Sequence, residues 1–272
     1  YSNGGILLTT NRTINLSECA ALSVVYKGLS CGVTTDNLFY SDKFAADYTY
    51  DGDDLGATWS ASSTTFKVWA PTAKQVHVKL YKSGNYGAND QLQYVAMTLG
   101  DKGVWSATIS GDLHGVYYNY DVTFANYTVE ATDPYADSTG ANGDRGMIVN
   151  WDKVNPAGWD DDLSPNQGMN YTDAIIYEMH IREMTIDSSS GVKSAWRGKY
   201  LGLTQSGTRY NGRATALDHL KELGITHVQI MPAFDFASAD EYHLTDWQQY
   251  AWGYDPKNYN TPEGSYATDP FN

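Results

Sequence analysis

Two hydrophobic periods divide the chain. From about Asp36 to Asp162, apolar residues recur at every second position in short runs separated by Gly, Asn and Asp. In TTFKVWAP, Phe66 and Val68 share one face and Lys67 takes the other. In VHVKLY, Val76, Val78 and Leu80 point inward while His77, Lys79 and Tyr81 point outward. VYYNYDVTF sets Val116, Tyr118, Tyr120, Val122 and Phe124 against Tyr117, Asn119, Asp121 and Thr123. A period of two is the pleat of a strand, and many short strands with turn residues between them predict an all-β sandwich. Residues 1–35 show weaker alternation around Leu22, Val24 and Tyr26 and read as the tail of an upstream β module.

Past the polar stretch WDDDLSPNQGMN (159–170) the pattern changes. IIYEMHI (175–181) and THVQIMP (226–232) are compact apolar runs of the kind found in strands buried on both faces. Between them Leu217, Leu220 and Leu223 share a helical face, with Asp218 early, Lys221 late and Gly224 as the stop. Strand, helix, strand predicts a parallel pair joined by a crossover. The expected division is therefore an N-terminal segment over 1–35, a β-sandwich over 36–165, and a unit of alternating strands and helices over 166–272.

Charge narrows the partners. With 18 basic and 32 acidic side chains the formal charge is −14, a field that repels nucleic acid and anionic membranes alike. No run of 18 apolar residues spans a bilayer, and YSNGGILLTT lacks the basic and apolar regions of a secretory signal. Low Lys content and abundant Tyr, Asn, Ser and Thr fit an exported or cell-surface bacterial protein, with a cytoplasmic one left open. The 22 Tyr and 8 Trp suit a neutral, hydroxyl-rich ligand as well as they suit an aromatic core. Cys19 and Cys31 lack a C-x-x-C spacing, so a disulfide and two thiols both remain open and zinc is not indicated. DGDD (51–54) is rich in oxygen but lacks the ligand ladder of an EF-hand. No cofactor is expected from it, and calcium is left open.

IIYEMHIREMT (175–185), LDHLKELGITHVQIMPAFDF (217–236) and YAWGYDPKNYNTPEGSYATDP (250–270) resemble, in this order, the first three βα segments of α-amylase-type (family 13) glycoside hydrolases. WGYDP followed by PEGSYATDP is most similar to the type I pullulanases, which hydrolyse α-1,6 branch links in pullulan, starch and glycogen. The familiar motif has Asn where this chain has Ala251. DGDDLGATWS, TTFKVWAPTAKQVHVKLY, GVYYNYDV and DPYADSTGANGDRGMIV resemble the family 48 carbohydrate-binding module that precedes the barrel in such enzymes. The implied fold is an immunoglobulin-like sandwich followed by an incomplete (β/α)8 TIM barrel.

Retaining hydrolysis of a glycosidic bond needs a nucleophilic carboxylate and an acid/base carboxyl about 5–5.5 Å apart. The resemblance places these after later barrel strands, so no catalytic residue is expected in this chain. A second polypeptide, from a nick or a divided gene, is expected to complete the barrel and supply them. What carries over is part of the cleft: Tyr254 as a stacking platform for a sugar, Asp255 as its hydrogen-bond partner, and Trp252 as support. Glu178 and Glu183 read as structural, the latter beside Arg182, and Asp235 as a loop stabiliser. His180 and His227 read as core histidines, and Trp69 and Trp105 as module aromatics that either bind glucan or pack. The competing readings are a non-catalytic α-glucan-binding protein and an isoamylase-like or branching-enzyme fragment.

Overall fold

The structure is a computed structural model and describes residues 8–244 and 250–271. Strands β1 (Ser23–Tyr26) and β2 (Leu29–Gly32) form an exposed hairpin whose turn residues, Lys27 and Gly28, both have positive φ. Residues 36–48, expected to be strand, are instead two short helices, α1 (Asp36–Phe39) and α2 (Asp42–Tyr48). The reason is local: the Ser41 side chain accepts from the Phe44 amide as an N-cap, and Lys43 pairs with Asp47 one turn on. Cys19, buried, and Cys31, exposed, are free thiols.

Two antiparallel sheets follow. One has the order β3 (Gly56–Trp59), β4 (Ser63–Trp69), β8 (Val104–Ser110), β7 (Thr98–Leu99). The other runs β10 (Thr128–Ala131), β9 (Tyr117–Thr123), β5 (Gln75–Tyr81), β6 (Gln91–Ala96), with β11 (Gly146–Met147) also on β9. Phe66 and Val68 face Val76, Val78, Leu80, Tyr118 and Tyr120 across a shared core, and the Phe66 and Tyr118 rings meet edge to face at 5.1 Å. Each such fully buried apolar side chain contributes roughly 1.5–3 kcal/mol. Tyr118 and Tyr120 both donate to the buried Asp133 carboxylate at 2.9 Å, which satisfies their hydroxyls.

The outer face of the neighbouring strands β5 and β9 departs from simple alternation. Tyr81, Tyr117 and Asn119 are buried too, because Arg145 lies over the Tyr81 ring at 3.6 Å and Asn119 donates to the Asp144 carbonyl. A loop that returns from far along the chain covers that face. Alternation within one strand carries no sign of it.

After α3 (Trp151–Val154), strand β12 (Ile176–Met179) pairs in parallel with β15 (His227–Ile230), and α4 (Ala216–Glu222) lies in the crossover ahead of β15. A small hairpin, β13 (Arg209–Tyr210) with β14 (Arg213–Ala214), leads into α4. Leu220 is buried, and Gly224 ends the helix at φ 68°. Three expectations fail here. Ile176 and Glu178 of β12 and all of β15 are exposed, so these runs are not buried on both faces; among the described residues no layer covers Ile176, Val228 and Ile230. His227 is exposed, its Nδ1 engaged with the Thr226 hydroxyl, and is not a core residue. The third segment is not a parallel strand: β17 (Pro256–Pro262) pairs antiparallel with β16 (Phe234–Phe236). Among the described residues no helix is long and apolar enough to cross a membrane.

Candidate functional site

The loop 250–255 lies where β12 and β15 end. His180, the residue after β12, is buried, and its Nε2 donates to the Ala251 carbonyl at 2.9 Å while Nδ1 accepts from the Glu183 amide. That pair of contacts places the ring proton on Nε2. The Tyr266 hydroxyl lies 3.2 Å from the same nitrogen. The Ala251 methyl packs with Ile181, Phe236, Ala239 and Tyr266, a place where the amide of an Asn would have to find polar partners. On the far side of Ala251 the turn is fixed by Gly253, at φ 84°; a Cβ there would stand 2.5 Å from the Pro232 carbonyl oxygen. Only glycine fits both the backbone angle and the gap.

This anchoring turns the two flanking rings outward. Tyr254 is 66% exposed and Trp252 59%. Trp252 meets Tyr250 edge on at 5.9 Å, so it is not packed beneath the loop. Asp255 is exposed as well; its Oδ1 accepts from the Ser238 hydroxyl at 3.0 Å and its carbonyl from the Ala237 amide. The three residues expected in the cleft therefore sit together on one short, glycine-fixed loop. An exposed ring beside a carboxylate can offer an apolar face and hydrogen-bond acceptors to a hydroxyl-bearing ligand. Of the other residues singled out, Glu183 pairs with Arg182, and Glu178 accepts from Gln229. Trp105 is buried with its indole N–H on the Ala70 carbonyl, so it is packing and not a binding ring. Trp69 donates to Tyr48 and Lys102 carbonyls, and Asp54 of DGDD is engaged by Lys67 and Tyr50.

Behind the loop lies a group that sequence reading resolved only in part. Asp235, Glu241 and Glu263 are all buried, with carboxylate oxygens within 4.8 Å of one another. Such a group can share a proton or a divalent cation. Here protein donors already reach every member: Asn258 Nδ2 to Asp235, the Asn142 amide to Glu241, and the Phe236 and Ser265 amides to Glu263. Burial pushes Asp235 up to about 6 and Glu241 to about 7, opposed by these hydrogen bonds and reinforced by the charge of Glu263. Asn142 and Gly143 come from the loop between β10 and β11, so the sandwich is latched here to β16 and β17. Gly143 packs so tightly that a Cβ would fall 2.1 Å from Asp235 Oδ2.

Residues 54–136 match the family Carbohydrate-binding module 48 (Isoamylase N-terminal domain). Over 260 residues the chain is 40% identical to a pullulanase of Bacillus subtilis, covering 95% of this chain and 34% of that one. The chain is homologous to pullulanases. A solved pullulanase of Paenibacillus barengoltzii, in complex with maltohexaose and α-cyclodextrin, superposes with a TM-score of 0.81 at 41% identity, covering 90% of this chain and 36% of that one. The isoamylase SU1 of Zea mays is 31% identical over 79% of this chain and 28% of its own length. The pullulanase homologue thus spans about a third of the length of its relatives.

Proposed function

We propose that this chain is the sugar-positioning part of a pullulanase-type hydrolase that cuts α-1,6 links in pullulan, starch and glycogen. On this reading β12 and β15 are the first strands of a (β/α)8 barrel, and loop 250–255 lies at the carboxyl end of its strands, where barrel enzymes hold substrate. The catalytic carboxylate pair of a retaining mechanism lies on polypeptide outside these 272 residues, so the chain acts only within the assembled enzyme. The observation that carries the proposal is the exposed Tyr254 ring, fixed by Gly253 next to Asp255, in a chain 40% identical to a pullulanase. Tyr254→Ala in the assembled enzyme is expected to lower kcat/KM on pullulan by ~10- to 100-fold, or ~1.4–2.7 kcal/mol of transition-state stabilisation. An unchanged kcat/KM would remove the stacking role.

The match over 54–136 favours one further reading, a glucan-binding protein without catalysis. It predicts retention on immobilised pullulan with no release of reducing sugar from the assembled protein. Release of maltotriose from pullulan rejects it, and also separates pullulanase from isoamylase-like or branching activity.

A further inference from the structure

A small cavity of ≈ 100 Å³, with Ala251 in its wall, gathers positive charge. Arg182, Arg197 and Lys199 line it, and among the described residues no Asp or Glu does. That inverts the balance of a chain with 32 acidic and 18 basic side chains. Arg182 lies two residues past His180, and Arg197 and Lys199 flank Gly198. Gly198 has φ 71°, and a Cβ there would stand 2.9 Å from Ile186 Cδ1 and 3.2 Å from Arg182 Cγ. Glycine therefore lets this segment pass close to Arg182, which brings the three charges to one place.

Only one of the three has an acidic partner. Arg182 pairs with Glu183. Arg197 donates from Nε to the Val192 carbonyl at 2.9 Å, which anchors the guanidinium, while its terminal nitrogens make no hydrogen bond to a described residue. Lys199 donates one proton to the Ser265 carbonyl at 2.6 Å and pairs with no described carboxylate, so two N–H donors remain. Burial lowers the Lys199 pKa; the Arg182 charge adds to this, and Glu241 and Glu263 oppose it. An ammonium half withdrawn from water beside guanidinium groups is costly until a counter-ion arrives. The volume equals that of about three waters, at ~30 Å³ each. It admits one small anion and no sugar chain.

We propose that this cavity binds a small tetrahedral oxyanion, inorganic phosphate or sulfate, with the Arg197 fork and the Lys199 ammonium as its main donors and Arg182 as the third charge. Arg supplies paired donors in one plane and Lys a compact charge, a set matched to phosphate-like oxygens. Arg182 also lies over the Tyr250 ring at 5.9 Å. Through Ala251 and Tyr250 the bound ion braces the buried side of loop 250–255, while Tyr254 stays in solvent. The site takes no sugar and stands whether or not the proposed function does.

The test is titration calorimetry of the full chain with inorganic phosphate, beside sulfate, glucose 6-phosphate and, at matched ionic strength, chloride. Expected are one saturable site for phosphate and sulfate, roughly tenfold weaker binding in Arg197→Gln and Lys199→Gln, and a smaller loss in Arg197→Lys, which keeps the charge without the fork. Thermal melts show whether each variant is folded; Arg182→Gln, on a partly exposed side chain, provides a further weakened variant. Phosphate at about 100 times its Kd should raise the melting temperature of the parent by a few degrees and that of the Gln variants by less. Glucose 6-phosphate separates a free ion from a phosphate ester: the volume predicts binding at least ~10-fold weaker, and equal binding overturns the free-ion assignment. An equal rise in melting temperature in parent and variants is the general effect of salt on burial. That result, chloride bound as tightly, or no saturable phosphate site overturns the proposal, and none of them touches the role of Tyr254.

Discussion

Gly253 decides where Tyr254 can point. Its φ of 84° belongs to the left-handed region, and the Pro232 carbonyl occupies the space a side chain would need. Gly253→Ala therefore combines a backbone cost of ~1–2 kcal/mol with a contact that can be relieved only by shifting the loop. The expected outcome is a Tm lowered by a few degrees and a larger loss of glucan affinity than of stability, because the neighbouring rings move with the turn. Calorimetry with maltohexaose beside a thermal melt reads both; equal affinity would mean that the loop tolerates displacement. At this scale the sequence was informative in a particular way. Tyr254, Trp252 and Asp255 were legible because they lie within four positions of one another, so their proximity needs no knowledge of the fold. The half-exposure of Trp252 was not legible, since it depends on the His180 and Pro232 contacts that anchor the other side of the loop.

At the scale of elements, β16 and β17 meet the sandwich through carboxyls that prefer to be protonated. Asp235 and Glu241 hold their protons to about pH 6 and 7, above ordinary values of 3.8 and 4.5. The folded state thus binds protons more tightly than the unfolded one. The contribution of these two groups to stability is fully present below about pH 4 and is lost as pH rises through 6 and 7, the opposite of a salt-bridged carboxylate. Glu241→Gln keeps an acceptor for the Asn142 amide and removes a charge facing Asp235 and Glu263. Lys199 and Lys257 are the nearby cations; Lys257 is already engaged by Asp144 and the Asn142 carbonyl. The variant should gain ~1 kcal/mol at pH 8, about 2–4 °C in Tm, and nothing at pH 4.5. Melts in EDTA and in excess calcium should agree, and a calcium-dependent shift would show that a cation and not a proton relieves the repulsion. Strand pattern could not reveal this latch. Val76, Val78 and Leu80 announce a core by their own spacing, whereas the bond from Asn142 to Glu241 joins residues 99 positions apart.

Over the whole molecule, the two halves differ in how completely they bury apolar surface. The sandwich closes on itself: its two sheets share one core. The parallel pair does not. Ile175, Ile176, Val228 and Ile230 stand exposed, and Ile176 and Val228 line a hollow of ≈ 610 Å³ together with Met169, Tyr171 and Ala174. The apolar runs were readable in the sequence, but their covering was not, because hydrophobicity records what a face prefers and not what lies on it. An apolar face of this kind, with unpaired strand edges beside it, drives association in water. The 272-residue chain in isolation is therefore expected to form concentration-dependent oligomers in light scattering. Lys at Ile176 and at Val228 (Ile176→Lys, Val228→Lys) should return it to a monomer without lowering the melting transition of the sandwich, since both side chains already face solvent. A chain that stays monomeric at every concentration, or variants that associate as strongly, would show that the exposed pair is not the adhesive surface.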